Sequence, residues 1–183
     1  MLNKVGTVSL RPLTLADTDN IVRWRNSESV YKNLCTQKPI TPQTHTAYYE
    51  KYVQTGKCRQ FIISVTEEGD EYDIGTVFLK NVDLDKKQAE CGIFIGENRA
   101  RGKGYGQVAC KLILCHAFDE LQLEKVYAIV FCDNISSLRI LEKIGFRKEN
   151  CVEDEVQTQT AVIRVKMQIL ALNKKSFTCK NKE

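Results

Sequence analysis

Histidine is almost missing from this chain of 183 residues: only His45 and His116 occur. None of the eight cysteines stands in a C-x-x-C pair. Zinc ribbons and fingers place their ligands at short, repeated spacings, so both are excluded and no metal is expected. No run reaches the roughly 18 uncharged apolar residues that a membrane-crossing helix needs. Met1–Gly6 lacks the apolar stretch of a signal peptide. An excess of one charge is missing as well. The formal net charge is +4, and four lysines against one glutamate in Asn173–Glu183 account for most of it. A nucleic-acid reader carries its basic stripe in the folded part, so neither nucleic acid nor membrane is expected as a partner. With no repeat and no interdomain linker, the expectation is one cytoplasmic domain over residues 1–172 and a basic, flexible tail over 173–183.

What is present is a chain 43% hydrophobic and 27% charged, enough apolar residues for one core without staples. Strand-like runs cover Val5–Leu10, Phe61–Val65, Tyr72–Val82, Ala89–Ile95, Val126–Phe131 and Thr160–Leu170. Helical spacing covers Leu15–Arg25, Gln43–Val53, Gly104–Leu121 and Asn134–Ile144. Thr41-Pro42 has the chemistry of a helix start and Gly145 that of a helix end. Polar turns at Glu67–Glu71 and Asp83–Lys87 suggest an antiparallel meander. Alternation over Ala89–Ile95 places Glu90, Gly92 and Phe94 on one face and Cys91, Ile93 and Ile95 on the other.

Between that strand and the next helix runs Asn98-Arg99-Ala100-Arg101-Gly102-Lys103-Gly104-Tyr105-Gly106-Gln107. Free N–H groups at a helix start, approached closely through glycine and flanked by cations, make a cradle for phosphates. The P-loop pattern fails, because Glu97 stands where its first glycine belongs and Gly104 where its Ser/Thr belongs. The dinucleotide fingerprint fails at its third glycine, where Gln107 stands. A mobile glycine loop with solvated arginines is the other reading of these residues taken alone.

Arg99-Ala100-Arg101-Gly102-Lys103-Gly104 resembles the [Q/R]-x-x-G-x-[G/A] motif of the GNAT superfamily of acetyl-CoA-dependent N-acetyltransferases. Asn134-Ile135-Ser136-Ser137, followed by Glu142-Lys143-Ile144-Gly145-Phe146, resembles its RimJ/RimL-type branch, which acetylates ribosomal-protein N-termini; Leu10-Arg11-Pro12-Leu13 agrees. The resemblance covers roughly residues 8–170. It implies an α+β fold with a mixed, mostly antiparallel sheet, splayed after the fourth strand and flanked by helices on both faces. It implies that acetyl-CoA lies in the splay on Ile93, Phe94, Ile95, Arg99, Arg101, Gly102, Lys103, Gly104, Tyr105, Gly106, Asn134 and Ser137. It implies direct attack of an amine on the thioester, so that no nucleophilic cysteine is needed.

Such a reaction needs a base for the amine and an acid for the leaving thiolate. Glu90, on the strand approaching the splay, is the expected base, ahead of His45 and Glu28. Leu141 stands where many members carry a tyrosine acid, which makes Ser137 the expected donor and keeps a non-catalytic CoA-binding module as an alternative. Trp24, Arg25, Asn26, His45 and Glu90 are the expected acceptor-binding residues. The acceptor is expected to be a small-molecule or peptide amine, either a protein N-terminus or an amino group on a nucleotide-linked sugar. A monomer or homodimer is expected.

Overall fold

The computed structural model describes residues 6–158 and 160–178. Seven strands form one sheet: β1 (Thr7–Pro12), β2 (Cys58–Glu67), β3 (Asp70–Asp83), β4 (Gln88–Ile95), β5 (Lys125–Phe131), β6 (Arg147–Gln157) and β7 (Val162–Asn173). Their order across the sheet is β1-β2-β3-β4-β5-β7-β6. Every pair is antiparallel except β4 and β5. That parallel pair holds only three rungs, Gln88–Lys125, Ala89–Val126 and Glu90–Tyr127. Beyond Glu90 the two strands part, and Val77, Thr76 and Gly75 of β3 remain the partners of Ile93, Phe94 and Ile95. This is the splay expected after the fourth strand.

Five α-helices surround the sheet: α1 (Thr18–Arg25), α2 (Glu28–Tyr31), α3 (Pro42–Tyr48), α4 (Tyr105–Cys115) and α5 (Ile135–Ile144). Helices α3 and α4 each run on through a wider five-residue segment, Tyr49–Val53 and His116–Glu120. Thr41 caps α3 by accepting from the Thr44 N–H at 3.3 Å, and Gly145 closes α5 at φ 113°. Ala109, Cys110, Ile113, Leu114, Ala117 and Phe118 are the buried face, packed with Val77, Leu79, Ala89 and Cys91 of the sheet. Val108 and Leu112 of α4 are half-buried. Ile62, on the opposite face from Ile63, packs with Ile21 and Trp24 under α1. The two helical layers therefore lie on opposite faces of the sheet.

The segment after β7 touches the domain. Lys174 Nζ donates to the Phe118 carbonyl at 2.6 Å and to Gln122 Oε1 at 3.0 Å, and the Phe177 ring lies 5.4 Å from that of Phe118. An apolar ring and an ammonium with fixed acceptors hold the segment as far as Phe177; residues 179–183 lie outside the described part. Cys115 is disulfide-bonded, while Cys35, Cys58, Cys91, Cys110, Cys132 and Cys151 are free. Among the described residues no helix is long and apolar enough to cross a membrane.

Candidate active site

The site has two walls meeting where β4 and β5 part. One is the cradle. Gly102 and Gly104 adopt φ of +77° and +86°, backbone that side-chain-bearing residues avoid. Gly104 caps α4; the Gln107 N–H of its first turn donates back to the Gly104 carbonyl at 3.0 Å, while the amides of Tyr105 and Gly106 have no intrahelical acceptor. Nothing lies within 4 Å of a Cβ built on Gly102 or Gly104. A Cβ on Gly106 would meet Ile93, Ile95 and Ile140 at 3.9 Å each. Open space before free amides, floored by aliphatic groups, fits a diphosphate with an apolar arm running inward.

The cations of this loop are already engaged. Arg101 donates to the Ile95 carbonyl from Nη2 at 2.7 Å and from Nε at 3.2 Å. The Arg99 guanidinium sits 4.0 Å over the Tyr72 ring. Lys103 Nζ pairs with Glu67 at 2.9 Å. Tyr72 and Tyr105 donate their hydroxyls to the same carboxylate. These three donors hold Glu67 down at about 2. Tyr105 is 1% exposed, so its ring and hydroxyl are committed to the β2–β3 hairpin and only its main chain faces the cradle. Phe94 likewise turns its ring to the Trp24 cluster, leaving its backbone on the open β4 edge. The cradle is built chiefly of main chain, with side chains holding it in place.

Helix α5 closes this wall. Asn134 Oδ1 accepts from the Ser137 N–H at 3.2 Å and caps the helix. Ser137 is half-buried, and its hydroxyl makes no hydrogen bond to a described residue. It stands one turn before Ile140, which reaches the cradle floor. Leu141 points into the core at 5% exposure.

The second wall is the opposite face of the sheet. Glu90 is 7% exposed and occupies the last β4–β5 rung, beside Tyr127. Lys80 Nζ lies 2.9 Å from its Oε1, and Asn81 Nδ2 donates to Oε2 at 3.1 Å. Each oxygen keeps a lone pair for a further donor. Lys80 and Asn81 also line a cavity of about 430 Å³ with Tyr48, Tyr52, Lys57 and Cys58. The Tyr48 hydroxyl donates to Gln60 Oε1 at 3.1 Å and lies 3.3 Å from Cys58 Sγ; burial first, then the nearby thiol, raises its pKa. Lys80 and Asn81 were not picked out from the sequence. A hairpin centred on residue 85 would have placed Lys80 opposite Glu90.

The remaining expected acceptor residues divide. Trp24 is 1% exposed, stacks on Gly96 and donates its indole N–H to Glu97 at 2.8 Å; it anchors the core and cannot touch an acceptor. Asn26 exchanges two hydrogen bonds with the Ile40 main chain, at 2.8 and 2.9 Å, and pins the loop before α3. His45 is 3% exposed. Thr18 donates its hydroxyl to the Leu15 carbonyl, so His45 Nδ1, 3.0 Å from Thr18 Oγ1, is the donor in that contact. Burial, the largest influence, pushes the His45 pKa down. The imidazole therefore ties α3 to α1 in its neutral form, with Nε2 buried and, among the described residues, unpartnered. Arg25 is mostly buried beside Tyr48, its pKa lowered by burial, with Nη2 3.3 Å from the Thr36 carbonyl. Glu28 is exposed on α2, away from the cavity lining. Of this group, only Glu90 has polar contacts that lead directly to the cavity.

A family profile described as an acetyltransferase (GNAT) domain matches residues 7–147. The chain belongs to the GNAT acetyltransferase family. The GNAT chain is 28% identical to an uncharacterised N-acetyltransferase, p20, of Bacillus licheniformis, over 87% of its own length and 90% of the relative's. It is 29% identical to a putative ribosomal N-acetyltransferase, YdaF, of Bacillus subtilis, over 62% of its length and 63% of that protein's. Its fold matches a spermidine N-acetyltransferase from Vibrio cholerae, solved with CoA and spermine, at a TM-score of 0.82 and 20% identity, covering 92% of this chain and 96% of that one. This GNAT protein is an acetyl-CoA-dependent N-acetyltransferase.

Proposed function

We propose that this GNAT enzyme acetylates the primary amine of a compact acceptor by direct attack in a ternary complex, with Glu90 as base and Ser137 as proton donor. Acetyl-CoA supplies the activated thioester. The amides of Gly102–Gly106 would hold its diphosphate, and Ile93, Ile95 and Ile140 would flank its arm. The free edge of β4 beyond Glu90 offers main-chain N–H groups to the thioester oxygen, a small oxyanion-type contribution. Glu90 receives a proton on a carboxylate oxygen as the amine arrives from the cavity side. Ser137 Oγ, free of protein partners, stands on the α5 wall to pass a proton to the departing sulfur.

The observation that carries this reading is the position of Glu90. It is a nearly buried carboxylate at the vertex of the splay, and its two partners also line the acceptor cavity. The likeness to YdaF supports a second reading, in which the acceptor is a protein N-terminus. Steady-state kinetics on an acceptor panel, following release of free thiol, tests both. In Glu90→Gln, kcat should fall about 100-fold or more, with a smaller fall in Ser137→Ala. Unchanged turnover in both variants would remove these assignments.

A further inference from the structure

An amine of the chain itself already stands at Glu90. Lys80 and Glu90 are partners across β3 and β4, so their side chains share one face of the sheet. Lys80 Nζ lies 2.9 Å from Glu90 Oε1, while Asn81 Nδ2 donates to Oε2 at 3.1 Å and leaves Oε1 to the lysine. The Lys80 side chain is 42% exposed against 10% for that of Glu90. The carboxylate is held in place, and the ammonium above it rides on a flexible four-carbon stem.

The reactive end of a bound thioester is directed to the same point. An apolar arm that leaves the cradle at Gly106 meets Ile95 and Ile93. From Ile93 to Glu90 is about 10 Å along the strand, at roughly 3.3 Å per residue. There the opening ends, because Glu90, Ala89 and Gln88 are paired with β5. Other lysines lack one part of this arrangement. Lys87 and Lys103 are held by Glu124 and Glu67, carboxylates outside the vertex. Lys57 lines the cavity together with Lys80, but among the described residues it has no carboxylate to take its proton.

Resting on the assignment of Glu90 as base, we propose that Lys80 is a self-acetylation site, modified by its own chain when acetyl-CoA is bound and no other amine is supplied. The Lys80 ammonium gives a proton to Glu90, and the freed lone pair attacks the thioester carbon. A C–N bond forms and the C–S bond breaks. Of the ammonium's hydrogens, one passes through Glu90 to solvent, one ends on the departing sulfur by relay through Ser137, and one stays in the amide. The products are Nε-acetyl-Lys80 and coenzyme A. The modification removes the positive charge from beside Glu90.

The test incubates the full chain with acetyl-CoA and no added amine, and follows acetyl groups by peptide mass mapping. Lys80 should be acetylated ahead of Lys57, at a rate per chain that does not change with protein concentration. Lys80→Arg should remove the fast site. Glu90→Gln should slow it about 100-fold or more. The inference is overturned if Lys80 stays unmodified, if it gains acetyl no faster than Lys57, or if its rate per chain rises with protein concentration. An unmodified Lys80 in a protein that still releases free thiol with an amine from the acceptor panel removes the self-acetylation and leaves the Glu90 assignment standing. Acetylation of Lys80 at the parent rate in Glu90→Gln would overturn both.

Discussion

The two walls of the active site are made in different ways. The cradle comes from one stretch, Asn98–Gly106, and in the proposed reading it works through main-chain amides, with Gly102 and Gly104 in left-handed backbone. The proposed acceptor wall draws on Tyr48, Lys57, Lys80 and Glu90, which lie on separate segments, and would work through side chains. A main-chain cradle tolerates change in most side chains but not in its backbone angles. A side-chain wall can be re-specified one residue at a time while the cradle stays the same. The difference accounts for one domain type serving relatives named for different acceptors.

Substitutions can break this division from either side. The largest effect is expected in Glu90→Gln, where turnover should drop by about 10²–10⁴, with acetyl-CoA affinity at the parent value. A cradle contribution from Glu90 would show as a parallel fall in that affinity. Next comes Trp24→Ala, which removes an indole packed on Gly96 behind both walls. Chemical denaturation should report a loss of about 3–5 kcal/mol; a stable variant with impaired acceptor binding would return Trp24 to the acceptor wall. Gly104→Val should then weaken acetyl-CoA binding by about tenfold. It also forces a β-branched residue into left-handed backbone, costing about 1–2 kcal/mol of stability. Acceptor-end binding should not move.

The smallest expected effect is that of Glu67→Gln, and pH identifies it. Hydrogen bonds from Tyr105, Tyr72 and Lys103 hold the Glu67 carboxyl at about 2, against the usual 4.5. A carboxylate whose folded pKa is lowered stabilises the fold above its unfolded pKa and loses that contribution as pH falls through the folded one. The Tm gap between parent and variant should therefore be full above about pH 5 and close toward about pH 2. A gap independent of pH would mean that the carboxylate's charge plays no part in tethering the cradle.

The same difference in construction governs what could be read from the sequence. The glycine loop before α4 was legible because its parts are contiguous and Gly102 and Gly104 each take left-handed backbone. The place of Glu90 on β4 was legible because strand alternation fixes a face. The rest of the acceptor wall was not, because Tyr48, Lys57 and Lys80 meet only through β2–β3–β4 register and the packing of α3. Trp24 and His45 sit at helical positions that spacing alone cannot sort into core or site. Their roles depend on Gly96, Glu97 and Thr18, the first two supplied by a distant loop. Strand β6 carries mostly charged, exposed residues at the sheet edge and gives little alternation to detect. Helix α2 is a single turn, too short for a periodic signal. Glu67 was read only as the start of a turn, since nothing local announces that Lys103 and Tyr105 close on it.

The most direct test of a main-chain cradle facing a side-chain acceptor wall is a side-by-side titration of acetyl-CoA into Glu90→Gln and Gly104→Val. The account predicts parent-like affinity in the first and a roughly tenfold weaker Kd in the second. Weakened binding in Glu90→Gln together with parent-like binding in Gly104→Val would contradict it.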